Sequence, residues 1–377
     1  MNRVALVASS FHPHVGGVEE HVRQVAREFA ARGIAVEVWT VDRGEHLGIR
    51  EVGGITVRYL PAPLPARSVG AMTRFVWRFP PAWSRWRRAM REFRPDLLHV
   101  QCFGPNGLYA LALHRRTGVP LAVTSHGETF ADDASVFDKS ALLRRGLRSA
   151  LSRASIVTGC SAMVIDDLRT RFELSDGDVV ANGVDLTIVP AAPLPGIDGR
   201  TFVTVGRLGR TKGFDLLLEA LARTETAIDT RLVVIGDGPE RGSLTKQSEQ
   251  LGISHRVSFV GMLQSPQVAA AMASALAVVV PSRVESFGIV VLEAWRASAP
   301  LIVTRRVGAP VRDRIDAVVV DPEESATFAR ALDAVAADPV LRESIAAAGA
   351  RRVEAFTWGA AAEGYLGLYA RAEETEA

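Results

Sequence analysis

The sequence predicts two α/β domains of similar size, each built on a parallel sheet with helices on both faces. Apolar runs of strand length alternate with helical patterns, which is typical of parallel sheets that are covered on both sides. The alternation stops once, at the three prolines of Val189–Gly199, and then starts again. With 377 residues the chain is long enough to bury two hydrophobic cores. We therefore interpret Val189–Gly199 as the linker between two domains.

The elements of the first half follow from periodicity. After a strand at residues 3–9, an apolar stripe at helical spacing predicts a helix that ends at Gly33. The stripe consists of Val18, Val22, Val25 and Phe29. Further strand-like runs occupy residues 35–41, 96–101, 120–126 and 154–161.

The second half repeats this alternation. Its strand-like runs occupy residues 200–206, 231–238, 256–261, 275–282 and 300–306. Helical patterns follow at residues 214–223 and 287–296, and the alanine-rich tail from Pro322 onwards is predicted to be helical.

Composition excludes several classes of protein. The net charge of +2 is too small to indicate nucleic-acid binding. Two cysteines, Cys102 and Cys160, exclude a disulfide framework and an all-cysteine zinc site, and they suit a reducing compartment. The short N-terminal apolar run predicts a strand and not a signal peptide, and no uncharged run is as long as a transmembrane helix. We expect a cytoplasmic protein, with peripheral membrane contact left open.

Glycine turns indicate where a ligand would bind. In doubly wound sheets, ligands lie beyond the carboxyl ends of strands, where such turns lead into helices. Four turns fit this description: Gly16–Gly17, residues 205–215, residues 234–240 and residues 284–294. The second turn carries Arg207 and Lys212, two cations that suit a diphosphate. We expect all four turns to meet at one cleft between the domains.

Glu285 and Glu293 stand eight residues apart, about 80° around a helix, so both can face one side. The residues alone leave open an acid pair, two metal ligands or another role. Other motifs fail: Thr211 replaces the second glycine of a P-loop, and the histidines of the sequence His12-Pro13-His14 have no third metal ligand at a suitable spacing.

Taken together, these motifs resemble the retaining glycosyltransferases of family 4. The resemblance extends over almost the whole chain, and the order and spacing of its parts are specific. Those parts are HPHVGGVEEHV (12–22), HGE (126–128), NGVD (182–185), GRLGRTKGFD (206–215), IGDGP (235–239), VSFVG (257–261), PSRVESFGIVVLEA (281–294) and FTW (356–358).

The resemblance implies the GT-B fold, in which two Rossmann-like domains face each other across a cleft. Residues 1–190 would form the acceptor-binding domain and residues 191–355 the nucleotide-sugar-binding domain. Residues 356–377 would form a C-terminal helix that packs back on the first domain.

The same resemblance implies roles for individual residues. Glu293 would accept hydrogen bonds from the ribose hydroxyls, and Glu285 would accept them from the donor sugar. The amides of Phe287, Gly288 and Ile289 would point at sugar and phosphate from the start of a helix.

Arg207 and Lys212 would hold the donor diphosphate and neutralise the charge on the departing nucleotide, so that no metal ion or other cofactor is required. Gly16 and Gly17 would contact the phosphate, and His126 would contact the donor sugar. A front-face route through an oxocarbenium-like state is expected.

The predicted function is transfer of a hexosyl or N-acetylhexosaminyl group from a UDP-sugar to the hydroxyl group of a lipid, glycan or natural-product aglycone in bacterial glycan biosynthesis. A non-catalytic nucleotide-sugar-binding subunit of the same fold is the alternative, and a Rossmann oxidoreductase is disfavoured because its glycine fingerprint is absent. The segment Arg74–Asp96 holds seven arginines and three tryptophans. It predicts either an amphipathic helix that docks on anionic lipid or a packed helix with aromatic residues in the core.

Overall fold

The computed structural model describes residues 1–65, 68–131 and 135–376. The chain forms two compact units, one made of Met1–Asn182 with Trp358–Ala377 and the other of Gly183–Thr357. The chain passes into the second unit before the predicted boundary at residue 190. The amide of Val184 already donates to the carbonyl of Phe356, at 2.9 Å, within the second unit.

In the first unit, the described residues form an eight-stranded sheet and six helices that precede the second unit. In chain order these elements are β1 (Arg3–Ala8), α1 (Gly17–Ala31), β2 (Ala35–Val41), β3 (Ile49–Val52), β4 (Ile55–Leu60), α2 (Val69–Phe93), β5 (Leu97–Gln101), α3 (Pro105–Thr117), β6 (Leu121–Ser125), α4 (Val136–Lys139), α5 (Ala141–Leu151), β7 (Ile156–Gly159), α6 (Ala162–Phe172) and β8 (Asp178–Val179). The strand order is β3-β4-β2-β1-β5-β6-β7-β8.

The second unit contains a six-stranded parallel sheet in the order β11-β10-β9-β12-β13-β14. Its elements are β9 (Thr201–Val205), α7 (Phe214–Ala222), β10 (Arg231–Ile235), α8 (Arg241–Gln250), β11 (Val257–Gly261), α9 (Ser265–Ser274), β12 (Ala277–Val280), α10 (Ile289–Arg296), β13 (Leu301–Thr304), β14 (Val318–Val320), α11 (Ser325–Ala337) and α12 (Pro339–Arg352). A final helix, α13 (Trp358–Glu376), belongs to the first unit.

Helix α1 shows how the apolar pattern becomes a packed face. Val22, Val25 and Phe29 are fully buried, and Gly33 has a φ of +79° just after the helix ends. These residues pack in one core with Tyr365 and other residues of α13. The second core, on the opposite face of the sheet, contains residues of α2, α3, α5 and α6. The predicted doubly wound domain and the return of the C-terminal helix to it are thus confirmed.

The edge of the first sheet differs from the all-parallel prediction. β3 pairs with β4 antiparallel, whereas β4 pairs with β2 parallel. Only Gly53 and Gly54 join β3 to β4, and both have positive φ. Such a short connection can only produce an antiparallel hairpin, since a parallel pair needs a crossover.

Candidate active site

The candidate site of the second unit lies where the strand order of its sheet reverses direction. Strands β9 and β12 are neighbours at the centre, and the following strands run outward on opposite sides of them. The loops after β9 and β12 therefore diverge and leave a crevice beyond the carboxyl ends of the strands, the usual ligand position in such sheets. Arg207 and Lys212 follow β9, and Glu285 follows β12.

Close backbone packing holds three of the predicted glycine turns together. A Cβ atom on Gly213 would lie 2.1 Å from the carbonyl oxygen of Pro281, and one on Gly236 would lie 1.9 Å from that of Gly206. Both glycines also have positive φ, at +66° and +131°. Glycine is therefore required at both positions by close approach and by backbone conformation. These contacts bring the turns after β9, β10 and β12 into one cluster.

Charged side chains occupy this cluster. Lys212 Nζ forms an ion pair with Glu285 Oε2, and the two side chains are 31% and 15% exposed. The side chain of Arg207 is exposed and has no hydrogen bond or ion pair with any residue that the structure describes. The turn after β9 thus offers one unpaired guanidinium group and one ammonium group that is already held by a carboxylate.

A second ion pair braces the same turns. The two terminal guanidinium nitrogens of Arg283 donate to the carboxylate of Asp215, each at 2.6 Å, and the Arg283 amide donates to the carbonyl of Thr211 at 2.8 Å. Burial by itself would raise the pKa of Asp215, but the hydrogen bonds and charge of Arg283 hold it below its ordinary value. The loop after β12 is therefore fixed against the start of α7.

Helix α10 begins at the predicted motif. Gly288 caps the helix with a φ of +89°, and a Cβ atom there would lie 3.1 Å from the Cγ of Glu285. The Phe287 side chain is buried, whereas Ile289 is half-buried at the first helical position. The amide of Val291 donates to the Gly288 carbonyl at 2.9 Å, and the amides before it precede the first bonds within the helix, so this end can bind an anion or a hydroxyl group.

Glu293 is half-buried on α10, one turn before Arg296. Arg296 donates to the carbonyl of Asp185 at 3.1 Å, which ties α10 to the NGVD segment. Burial lowers the pKa of Arg296, while the charges of Glu293 and Asp185 act in the opposite direction. Sequence reasoning identified Glu293 but missed this neighbour.

In the first unit, Gly16 and Gly17 lie at the start of α1 and are exposed. The first turn of this helix carries two carboxylates, Glu19 and Glu20. Glu20 is occupied by Arg23, which donates to it at 2.6 and 2.9 Å. An anion that approaches this helix start meets free amides together with one carboxylate, Glu19, that has no ion pair with a described residue.

His126 follows β6 and is almost fully buried. Its Nε2 atom lies 2.8 Å from Oε1 of Gln101, the last residue of β5. Burial lowers the pKa of His126 well below its ordinary value, and the neighbouring residues His21 and His99 lower it further. His126 is therefore a neutral imidazole at physiological pH.

The sequence reading missed the buried network around His126. The rings of His21 and His126 meet edge to face with centroids 4.6 Å apart. Burial lowers the pKa of His21 to about 4, and burial together with the charge of His21 lowers that of His99 to about 3. Two tyrosines of α13 complete the network: Tyr365 bonds to His21 at 3.0 Å and Tyr369 to His99 at 2.5 Å.

Glu128 of the HGE motif organises the backbone behind His126. Its carboxylate accepts hydrogen bonds from the amides of Phe103 and His126, each at 2.7 Å, and from the Ser125 hydroxyl at 2.9 Å. Burial raises the pKa of Glu128, and these hydrogen bonds oppose that shift. The motif thus supplies a buried acceptor that fixes the loop after β6.

The described part of the chain holds neither a membrane-spanning helix nor a cluster of metal ligands. No helix within residues 1–65, 68–131 or 135–376 is long and apolar enough to cross a membrane. The same ranges contain no group of three or more histidine, cysteine or acidic side chains arranged to hold a metal ion.

The chain is similar to known glycosyltransferases in sequence. Residues 15–188 match the family model described as Glycosyltransferase Family 4, and residues 194–352 match that of Glycosyl transferases group 1. A D-inositol 3-phosphate glycosyltransferase from Frankia alni is 32% identical, over 95% of each chain. A phosphatidyl-myo-inositol mannosyltransferase from Mycobacterium leprae is 30% identical, over 97% of this chain and 96% of its own.

Solved structures show the same architecture. Sucrose-phosphate synthase from Thermosynechococcus elongatus has a TM-score of 0.81 at 22% identity, with 100% of both chains covered. An Anabaena protein in complex with UDP and glucose has a TM-score of 0.77 at 20% identity, over 98% of this chain and 100% of its own. The chain has the GT-B fold and belongs to the group 1 glycosyl transferases of glycosyltransferase family 4.

Proposed function

We propose that this glycosyltransferase moves a hexosyl or N-acetylhexosaminyl group from a UDP-sugar to a hydroxyl acceptor, with retention of configuration and without a metal ion. The observation that carries the proposal is the charge arrangement after β9 and β12. An unpaired Arg207 shares a turn with Lys212, and Lys212 contacts Glu285 at the point where the sheet order reverses.

The chemistry of a nucleotide sugar fits these groups. A diphosphate suits two cations in one turn, because charge-assisted hydrogen bonds to phosphate oxygens are among the strongest that proteins form. Glu285 can accept from sugar hydroxyls and Glu293 from ribose hydroxyls, since carboxylates are acceptors only. The amides of Phe287, Gly288 and Ile289 would add donors at the start of α10.

The same cations would serve the reaction. Charge grows on the departing nucleotide as the glycosidic bond breaks, and positioned donors that meet growing charge are usually the largest catalytic contribution. Arg207 and Lys212 would fill this role in place of a metal ion. In the first unit, Gly16 and Gly17 would contact donor phosphate, and His126 would contact the donor sugar.

We infer the donor base and the acceptor from similar proteins. The Anabaena protein of the same fold was solved with UDP and glucose, which favours a UDP-sugar. The Frankia and Mycobacterium relatives are named for inositol phosphate and phosphatidyl-inositol, which favours an acceptor hydroxyl on a polyol. A lipid, glycan or aglycone can each present such a hydroxyl.

Thermal unfolding in the presence of nucleotides tests the donor site. We would measure the midpoint with UDP, GDP, ADP, dTDP and NAD, each with and without EDTA, because a ligand that binds only the folded state raises it. The expected result is a UDP shift that EDTA does not change, that Arg207→Ala abolishes and that Arg210→Ala retains. Arg210 is the matched control, since it is an exposed arginine of the same turn.

The other outcomes are informative. A shift with GDP or dTDP alone changes the donor and keeps the class, whereas a shift with NAD alone or with no nucleotide contradicts the site. Donor binding without sugar transfer to any acceptor would favour the non-catalytic subunit. The anomeric configuration of an isolated product, read from its proton coupling constants, decides between retention and inversion.

We also propose peripheral contact of helix α2 with an anionic membrane at its cytoplasmic face. The helix has two distinct halves: Trp86 is fully buried in the core, whereas Trp77 is 78% exposed. The exposed Val76 lies beside Trp77, and both Arg78 and Arg85 are exposed without an ion pair to a described residue. An apolar tip flanked by free arginines is the pattern of helices that bind anionic lipid surfaces.

A groove supports this proposal. It has a volume of about 540 Å³ and extends from α2 to the carboxyl ends of β2 and β4, with Trp77, Arg78 and Arg85 in its lining. Sedimentation with phosphatidylglycerol vesicles should deplete the protein from solution, and phosphatidylcholine vesicles should not. Trp77→Ala should weaken the binding, whereas Met262→Ala, which changes a comparably exposed apolar residue of the second unit, should not. Equal sedimentation of both variants would contradict the proposal.

A further inference from the structure

The side chain of Gln101 is fully buried between two imidazole rings. Its Oε1 atom lies 2.8 Å from His126 Nε2, and its Nε2 atom lies over the ring of His99, 3.1 Å from Nε2 and 3.4 Å from Nδ1. The amide group thus presents its oxygen to one ring and its nitrogen to the other.

This arrangement determines where the proton of the His126 ring is. A carboxamide oxygen only accepts hydrogen bonds, so His126, whose Nε2 atom faces Gln101 Oε1, must carry a proton on Nε2. Both rings are neutral because burial lowers the pKa of each, and a neutral imidazole carries one proton. His126 therefore has an unprotonated Nδ1.

Other residues bond to the ring nitrogens of His99. Its Nε2 atom lies 2.7 Å from Thr124 Oγ1, and its Nδ1 atom lies 2.5 Å from Tyr369 Oη. The amide nitrogen of Gln101 packs against the face of this ring, a contact that suits an N–H group. His99 therefore supports the Gln101 amide with its oxygen toward His126.

We propose that Gln101 is a positioning residue for sugar transfer: it holds His126 as the tautomer protonated on Nε2 and leaves Nδ1 to accept a hydrogen bond from a substrate hydroxyl. The Nδ1 atom of His126 has no hydrogen bond to any residue that the structure describes. The edge-on contact with His21 restrains the ring from a second side. The inference rests on the proposed role of His126 at the donor sugar.

The tautomer can be measured without an activity assay. In protein labelled with ¹⁵N-histidine, two-bond correlations distinguish Nε2–H from Nδ1–H, and His126→Asn identifies the signals of His126 by their loss. We expect the Nε2–H pattern in the wild-type protein. An Nδ1–H pattern for His126 would overturn the proposal with no further variant.

Two substitutions test the cause. Gln101→Leu removes the hydrogen-bond acceptor at nearly constant volume. Gln101→Asn keeps an amide but moves it away from His126 by one methylene group, and it serves as the test variant if the leucine variant does not fold. Both should lose the single Nε2–H pattern. An unchanged pattern in the folded variants would show that Gln101 does not set the tautomer, and the inference would fail.

Kinetics connect the tautomer to the reaction. Because misplacement of a positioned group by about 1 Å can cost about 100-fold, we expect kcat of Gln101→Leu to fall about 10- to 100-fold with little change in the donor KM. Tyr109→Phe serves as the control, since it removes a buried tyrosine hydroxyl that bonds to the Pro63 carbonyl outside this network. It should keep the wild-type tautomer and kcat.

A lost tautomer with unchanged kcat would also overturn the proposal. His126→Ala, assayed in the same series, then separates two failures. If His126→Ala is inactive, His126 matters and only the role of Gln101 is wrong. If it is as active as the wild-type protein, the proposed role of His126 is wrong as well.

Discussion

The two units hold their candidate site residues in opposite ways. The first unit buries neutral histidines in a network that two tyrosines of α13 complete. The second unit keeps charged groups near the surface, where Lys212 is paired with Glu285 and Arg207 has no described partner. A dry neutral site fixes geometry, whereas an exposed charged site can neutralise a phosphate without first losing the hydration of a buried ion.

The largest expected difference is in acid sensitivity. Burial keeps the folded-state pKa values of three histidines, His21, His99 and His126, far below 6.5. Below about pH 6.5 the unfolded chain therefore binds protons that the folded chain does not, so the free energy of unfolding decreases as the pH falls. Between pH 7.5 and 5.5 each histidine should cost about 1.4 kcal/mol, or about 4 kcal/mol in total for the first unit. The raised pKa of Glu128 acts in the opposite direction and offsets part of this loss.

Hydrogen exchange of peptides from β5 and β6, compared with β9 and β10, checks this prediction once the intrinsic exchange rates are corrected for pH. The second unit has one histidine, His255, which is exposed. The loss should therefore be confined to the first unit. Equal losses in both units would remove the proposed contrast.

The next effect concerns charge in the second unit. Arg207→Ala should lower kcat/KM for sugar transfer about 100-fold, or about 2.7 kcal/mol, because it removes one donor to the departing diphosphate. Its unfolding free energy should stay within about 0.5 kcal/mol, since the side chain is exposed and unpaired among the described residues. Arg210→Ala should leave both quantities unchanged. If both variants lose activity equally, general positive charge is responsible and Arg207 has no specific role.

The smallest expected effect concerns backbone crowding. Gly33 in the first unit and Gly213 in the second both have positive φ, but a Cβ atom on Gly33 meets nothing within 4 Å. Alanine at Gly33 should cost about 1 kcal/mol from backbone strain alone. Alanine at Gly213 should cost about 2 kcal/mol more, because its Cβ atom would overlap the Pro281 carbonyl. Urea unfolding of the two variants measures this difference, and equal midpoint shifts would contradict it.

Helices and strands with a regular apolar pattern could be predicted from the sequence. The stripe of α1 and the apolar runs of β1, β2, β5 and β6 were predicted, since one face or the whole strand is buried in each. The β3–β4 hairpin was missed because β3 is a short edge strand with little burial and no apolar run. Its one signal was the pair Gly53–Gly54, which is typical of a tight hairpin turn.

Some of the candidate site residues could likewise be predicted from local motifs, and others could not. The sequence indicated Arg207, Lys212 and Glu285 because each stands in a glycine turn directly after a strand. It gave no indication that Gln101 lies between His99 and His126, although His99 and Gln101 are two residues apart on β5 and so face the same side of the sheet.

The sequence by itself determined the doubly wound architecture, the family and the turns that carry the candidate donor-binding residues, because these depend on local periodicity and on short motifs. Only the tertiary structure decided which side chains of distant segments meet. Tyr369 reaches His99 across 270 residues, and Lys212 reaches Glu285 across 73. Such contacts depend on strand order and on the return of α13 to the first unit, and no local pattern encodes either. The protonation of the buried histidines was decided in the same way, since burial is a property of the folded chain and not of the residue.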